Sequence, residues 1–423
     1  MLRSAVLSFY FGSETINEII NTSYAPFNQV RKTLEDGNSN ASLLADRDDE
    51  TDSAISLDIL LYILLIPLSA LFSLFLSYFF KYSFFSLFLM LFLYSTFLFI
   101  YLVQNAISTA LIKENRGVLH NLLSLFFSLL SLLFLFLFKN LGIHSLSLSL
   151  SGSSLITLLL TLTITKKKSF HFIKKYDSKY SSSLVYTALS ALFILVLFYV
   201  SAREKRATYF ANSYIIALLP SSVAISFFIS TSYKRTELKK AYRYYISFIS
   251  LSTLLLIAFS NEIVEVLYEG GNFYSDDVKA NSAMLFYVLV SSFFMSTSIF
   301  FERILYLENE KKVIISIMLR IISALIFMFL NLSTEIIMLF SFLICLIFLI
   351  CTQNFISKKE IIKETILSLS CCFPIIVYIF FPFVRIGDVA DDKLSELFLS
   401  LLLGLFLFLL SLYPIALNIR RKR

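Results

Sequence analysis

Arg3, Glu18, Arg31, Lys32 and Asp36 fall inside or just beside the first two predicted helices of a chain that is 58% hydrophobic. A charge near the middle of a membrane helix costs roughly 2.5–3.5 kcal/mol on insertion scales, so such residues face a water-filled cavity or a partner and mark a transport path. The chemistry on offer is anion recognition, because a guanidinium is a rigid fork of donors that meets phosphate or carboxylate oxygens two at a time. We read these residues as the wall of a cavity for an anionic substrate. The competing reading is anchoring, in which Arg31 and Lys32 hold the second helix at the cytoplasmic surface and Arg3 snorkels to it.

The elements that must position these charges are membrane helices. With a mean hydropathy of +0.80, 46 Phe, no Trp and 15% charged residues over 423 positions, the chain is far from soluble composition, in which about 25% of residues are charged. Apolar runs such as Ile55–Phe80, Phe84–Ile112, Leu122–Phe138, Leu184–Val200, Ile246–Phe259 and Leu394–Leu417 recur from end to end. With Ser- and Thr-diluted segments such as Leu146–Ile164, they predict about fourteen spanning helices, an all-α polytopic fold. Strands of about ten residues with alternating polarity, the barrel signature, are absent from the pattern. Ala5–Phe11 is too short to span alone and reads as part of a longer first helix.

The basic residues set the orientation. With both termini inside, the outer side receives only Lys81, Lys139, Arg203, Lys205, Arg206, Lys279, Arg385 and Lys393. Arg3 and Arg320 stay within helices, and every other Lys and Arg is cytoplasmic. Short loops rich in Lys and Arg stay on the cytoplasmic side. The net charge of +7 follows from that sorting and implies no nucleic-acid partner. Cys345, Cys351, Cys371 and Cys372 lie in apolar helices without metal or disulfide spacing, and His120, His144 and His171 are isolated, so no metal or cofactor is expected. No phosphate-binding Gly-Lys loop is present, so transport would draw on a gradient or on the membrane potential.

A weak internal repeat organises the chain. A helix ending in Glu114-Asn115 turns tightly into the next, and one ending in Glu308-Asn309 does the same. Each would be the fourth helix of a six-helix lobe. The expected division is 1–180, 181–356, and 357–423 for two further helices and a basic tail. Thr33–Ser53, with its acidic run from Asp46 to Asp52, reads as a solvated cytoplasmic linker.

Phe11-Gly12, Glu18, Asn28, Arg31-Lys32 and Asp36-Gly37 reproduce without gaps the spacing of an N-terminal block. That block resembles the one that opens MurJ/MviN-type lipid II flippases of the multidrug/oligosaccharidyl-lipid/polysaccharide exporter superfamily. Leu219-Pro220-Ser221-Ser222-Val223 is similar to the family's eighth helix, Val266 to Phe273 to the turn after its ninth, and Phe301 to Tyr306 to the end of its tenth. The resemblance implies two six-helix lobes around a central cavity plus two C-terminal helices in the bacterial cytoplasmic membrane, working as a monomer without enzymatic chemistry. It implies that lipid II is flipped for peptidoglycan synthesis, its pyrophosphate-sugar head passing a cationic cavity and its lipid tail following a groove. By position, Arg3 and Arg31 would grip the head group, Asn28 and Lys32 lie in the same block, and Glu18 and Asp36 take acidic positions near the outer and inner gates.

The chain also departs from that pattern. The family's eighth-helix arginine corresponds to Ile215, with Asn212 and Ser213 as the nearest polar residues, and the basic member of the turn after the ninth helix is Gly270. Arg203, Lys205 and Arg206 are the expected compensating cations at the outer mouth. The predicted twelfth helix, Ile336–Ile356, has no acidic residue for a sodium site. A flippase for another polyprenyl-linked glycan is the nearest alternative. A drug or metabolite antiporter would need a carboxylate deep in a helix, for which Glu18 is the one candidate seen in the sequence. An integral membrane polymerase would need a large outer loop, whereas Asn261–Lys279 and Arg385–Glu396 are short.

Overall fold

The computed structural model describes residues 2–36, 49–113, 117–165, 178–224, 238–380, 402–404 and 406–411. Glu114, Asn115, Lys166–Lys168, Arg385 and the Arg420–Arg423 tail lie outside the described residues, as do the side chains of Lys32 and Asp36. The helices are α1 (Leu2–Phe11), α2 (Thr15–Asp36), α3 (Asp49–Phe80), α4 (Phe84–Lys113), α5 (Gly117–Phe138), α6 (Ser145–Ile164), α7 (Ser178–Arg203), α8 (Ala207–Ala217), α9 (Leu219–Ala224), α10 (Leu238–Ala258), α11 (Ser260–Tyr268), α12 (Ser275–Glu308), α13 (Glu310–Phe329), α14 (Thr334–Thr352), α15 (Lys358–Cys371) and α16 (Phe373–Phe380). No strand forms among the described residues, as expected of an all-α membrane protein.

Among the described residues, six helical stretches are long and apolar enough to cross a membrane, and the bent pair Lys358–Cys371 and Phe373–Ile379 would make a seventh. One of the six, Leu122–Ile164, is 43 residues long and folds as α5 and α6 packed on each other through the 3-10 segment Lys139–His144. The count of about fourteen is not reached by this measure. The apolar parts Leu65–Phe80, Ala188–Arg203 and Leu402–Ser411 are short, and α2 is too polar to qualify. Asn261–Lys279, read from sequence as an outer loop, is instead largely helical, forming α11 and the start of α12. The acidic run also changes character, since Asp49, Glu50 and Asp52 open α3, where negative charge meets the positive end of the helix dipole.

The chain divides into two compact units, Glu14–Ala202 and Arg3–Ser13 with Arg203–Arg423. In the first, α4 is central and packs against α2, α3 and α6, with Tyr94, Phe97 and Leu98 fully buried. In α6, Ser145, Ser147, Ser149, Ser153, Ser154, Thr157 and Thr161 are all buried while Leu155, Leu159 and Leu162 face outward. This inversion fits a lipid environment, where leucine gains nothing by packing inward and small residues let helices approach closely. Apart from Ser145 Oγ, which has no hydrogen-bond partner, these hydroxyls donate to carbonyls one turn back, as in Ser153 to Ser149 and Thr157 to Ser153 at 2.7 Å, or across helices, as Ser151 does to the Leu93 carbonyl at 2.8 Å.

In the second unit α12 is central and packs against α8, α10, α11, α13 and α14. The helices that the sequence paired through their Glu-Asn ends, α4 and α12, thus hold matching central places in their units. Asn309 caps α13 by accepting from the Lys312 amide. Along α10 and α15 a polar ladder runs in constant register: Lys239 with Glu360, Arg243 with Glu364, and Ser247 with Ser368. Rungs that advance four residues at a time on both helices mean that the helices run parallel.

Two segments that the sequence picked out separately meet in this unit. Gly12, at φ +55°, and Gly271, at φ +57°, close turns that lie against each other, with the Asn272 amide donating to the Phe9 carbonyl at 2.9 Å and its side-chain amide to the Tyr10 carbonyl at 2.7 Å. A Cβ at Gly12 would sit 2.2 Å from the Asn272 carbonyl oxygen, and one at Gly271 2.2 Å from that of Phe9. Gly12→Ala and Gly271→Ala should each lower the yield of folded protein and its melting temperature in detergent. Gly142→Ala is the control for backbone strain alone, since nothing lies within 4 Å of a Cβ placed there; at φ 56°, ψ −124° it is outside the left-handed helical well and should cost on the order of 1–3 kcal/mol. Equal losses in all three variants would remove the close-approach argument.

Candidate substrate site

The predicted site residues divide between the two units: Arg3 belongs to the second, and Glu18, Asn28, Arg31, Lys32 and Asp36 to the first. All five of the latter lie on α2, whose 22 residues are polar for so apolar a chain. Its buried residues include Asn17, Glu18, Asn21, Thr22 and Ser23. Polar side chains on a helix of a membrane protein need partners or water.

Along one stripe of α2, at spacings of three and four, the polar groups link up. The Asn21 amide donates to Asn17 Oδ1 at 2.9 Å, and Asn28 Oδ1 accepts from Tyr24 Oη at 3.1 Å and from Arg31 Nη2 at 3.2 Å. Helix α4 supplies the other wall. Arg31 Nη1 donates to Tyr101 Oη at 3.4 Å, and the guanidinium lies 5.2 Å from the Tyr101 ring centroid. Tyr94 packs against Tyr24 and Phe27 with ring centroids at 5.4 and 5.7 Å. Arg31 is half-buried and held on two sides. Glu18 is 7% exposed and thirteen residues earlier on the same helix, about 20 Å away at 1.5 Å per residue, so the two do not share one contact point. Lys32 and Asp36 have helical backbone.

In the second unit α1 is fastened to α8. Ser4 Oγ donates to Asn212 Oδ1 at 2.5 Å, and Asn212 Nδ2 donates to Ser8 Oγ at 3.1 Å. Asn212, one of the two polar residues noted beside Ile215, is therefore committed to holding the helix that carries Arg3. The expected compensation by outer cations takes a different form. Arg206 pairs with Glu335 at 2.7 Å and Arg203 donates to Asn331 Oδ1 at 3.0 Å, so both serve as cross-turn links.

Sequence reading missed the charges buried in this unit. Glu302 of α12 is 1% exposed and Arg320 of α13 is 5% exposed. They form an ion pair joined by Ser316 and Cys345, with the guanidinium 4.6 Å from the Phe342 ring centroid. Glu302 corrects the expectation that Glu18 is the one carboxylate deep in a helix. Its partner was visible as an intramembrane arginine, but nothing in the spacing joined the two. Arg243, assigned from sequence to the cytoplasmic side, is also buried and pairs with the buried Glu364.

An apolar cavity of about 760 Å³ opens between α9, α10, α11 and the 402–411 segment. Leu219, Pro220, Val223, Phe248, Leu255 and Phe259 line it, with Ser252 and Glu262 as its polar members. It begins where the α10–α15 ladder ends, so α10 turns a polar seam into an apolar wall within its own length.

The fold has known counterparts. A solved structure of the lipid II flippase MurJ in an inward closed conformation superposes with a TM-score of 0.68 at 18% sequence identity, covering 97% of this chain and 94% of that one. An inward-facing multidrug resistance transporter of the MATE family, of the MOP superfamily, matches with a TM-score of 0.50 at 13% identity over 87% of this chain and 90% of that chain. The likeness read from the N-terminal block thus extends to the fold of nearly the whole chain. No protein-family model matches the sequence, and no curated protein sequence matches it.

Proposed function

We propose that the protein is a flippase that moves a polyprenyl-pyrophosphate-linked cell-wall precursor, lipid II, from the inner to the outer leaflet of the bacterial cytoplasmic membrane by alternating access. The observation that carries this reading is Arg31, half-buried between Asn28 and Tyr101 on a polar helix of an otherwise apolar unit. A pyrophosphate presents several acceptor oxygens, and a preset guanidinium meets two at once. In this reading Arg3 and Arg31 bind the head group, Asn28 orients Arg31, Lys32 adds attraction from the cytoplasmic side, and Glu18 and Asp36 act at the outer and inner gates. The 760 Å³ apolar cavity suits the lipid tail. About fourteen helices, cytoplasmic termini and a monomer complete the proposal, and no bond is made or broken in transport.

A second reading, a drug or metabolite antiporter, draws on the likeness to the MATE transporter. Glu302 is the residue that would serve it, but Arg320 already neutralises that carboxylate. A flippase for another polyprenyl-linked glycan shares all the head-group chemistry. Complementation separates the three. Cells depleted of their own lipid II flippase should regain growth and shape when this chain is expressed. Lysis despite normal membrane levels would reject lipid II as substrate, and rescue of a strain lacking a different glycan-lipid flippase would identify the alternative.

A further inference from the structure

Two left-handed turns face each other at one end of the second unit. The first, between α7 and α8, carries Arg203, Glu204, Lys205 and Arg206, with Lys205 at φ +57°, and the second, between α13 and α14, has Asn331 at φ +55°. Three links close them: Arg203 to Asn331 at 3.0 Å, Thr334 Oγ1 to Glu204 Oε2 at 3.1 Å, and Arg206 to Glu335 at 2.7 Å. Residues other than glycine rarely hold positive φ unless the surroundings fix them, so the clasp sets both backbones.

The clasp contains two carboxylates and a gap in its hydrogen bonding. Glu335 is 7% exposed; Oε1 takes Arg206, while Oε2 is buried without a hydrogen-bond partner. A buried carboxylate oxygen without a donor is costly, and a donor must come from a group already at hand. Glu204 accepts from Thr334, the residue next to Glu335, and feels the Glu335 charge, so once protonated it is placed to supply one. We propose that Glu204 and Glu335 form a proton-binding site, in which a proton taken from solvent by Glu204 is donated as a hydrogen bond to Glu335 Oε2 and locks the two turns together. The O–H bond formed on Glu204 is balanced by the O–H bond broken in the hydronium ion that delivers the proton, and no other bond changes.

The surrounding charges agree. Burial raises the Glu204 carboxyl above its ordinary value and the Glu335 charge adds to this, while the Thr334 hydroxyl and Arg206 act the other way. Arg203 is directed to Asn331, and Lys205 is exposed. With the folded-state value raised, the clasp is tightest in acid and loosens as pH rises through that value. The site stands whether or not the transported molecule is lipid II.

Infrared titration of the full chain in nanodiscs tests this. Wild type should show a protonated-carboxyl band whose midpoint lies above the ordinary glutamate range of about 4.3. Glu204→Gln should abolish the band, Glu335→Gln should lower its midpoint by removing the like charge, and Thr334→Val should raise it. Amide exchange in both turns, corrected for intrinsic rate, should slow on acidification in wild type and be slow at every pH in Glu204→Gln, which mimics the neutral acid. Should Glu335→Gln fail to fold with Arg206 unpaired, the Thr334→Val shift still decides. A band that survives Glu204→Gln, or a midpoint unmoved by Thr334→Val, overturns the proposal. So does protection at neutral pH induced by sodium alone, which would assign the site to a metal cation.

Discussion

Glu302→Gln and Arg320→Met should each leave little folded protein in the membrane, whereas the double variant should recover much of the wild-type yield. Both groups are almost wholly buried among α12, α13 and α14. Removing one partner of a buried pair leaves the other charge uncompensated, at ~3–5 kcal/mol, a large share of a stability of about 5–15 kcal/mol. Removing both leaves neutral groups of similar volume, and replacing a whole buried pair is often close to neutral. Monodisperse yield after detergent extraction and the melting temperature of each variant are the measurements. Single variants as stable as wild type would show that the pair is solvated in the membrane. A double variant as poor as the singles would show that the contacts to Ser316 and Cys345, not mutual neutralisation, are what the fold requires.

That pair also marks where sequence reasoning stops. The class of fold was legible because composition and 18-residue apolar runs are properties of single segments. The Ser-diluted segment Leu146–Ile164 was read as a spanning helix and forms the helix Ser145–Ile164, since serine hydroxyls bond back to their own helix and cost little there. Partnerships between helices were not legible. Arg320 and Glu302 lie 18 residues apart on different helices, and Arg243 and Glu364 are 121 residues apart; nothing local in either sequence stretch names the other. The partners of Arg203 and Arg206 were not legible for the same reason, because Asn331 and Glu335 lie far along the chain.

Within the candidate site the split is similar. The polar stripe Asn17, Asn21, Tyr24, Asn28 and Arg31 follows from helical spacing alone, and the sequence carried Asn28 and Arg31. Tyr101 did not stand out, since it is one aromatic in an apolar run, yet it is the wall against which Arg31 rests. Gly12 was visible as part of the N-terminal block and Gly271 as part of the turn after the ninth helix, and their meeting came only with the fold.

Arg31→Ala should abolish transport while leaving the protein inserted, and Arg31→Lys should retain part of it. The alanine variant loses a charge-assisted contact of ~1.5–3 kcal/mol, which at 1.4 kcal/mol per decade is a fall of roughly ten- to a hundredfold in substrate affinity. Lysine keeps the charge but not the fork, so it cannot hold Asn28 Oδ1 and a phosphate in the same plane. Tyr101→Phe preserves the ring beneath the guanidinium and should act mildly, whereas Tyr101→Ala removes the support and should approach the alanine variant at Arg31. Flipping assayed in proteoliposomes with lipid II, beside expression and melting measurements, separates binding from folding. Arg31 and Lys32 as mere anchors predict something else: Arg31→Lys at full activity, Tyr101→Ala without effect, and Arg31→Ala weakened only through mis-insertion. A ranking of variants that follows guanidinium geometry rather than charge is what an anion site requires and what an anchor does not.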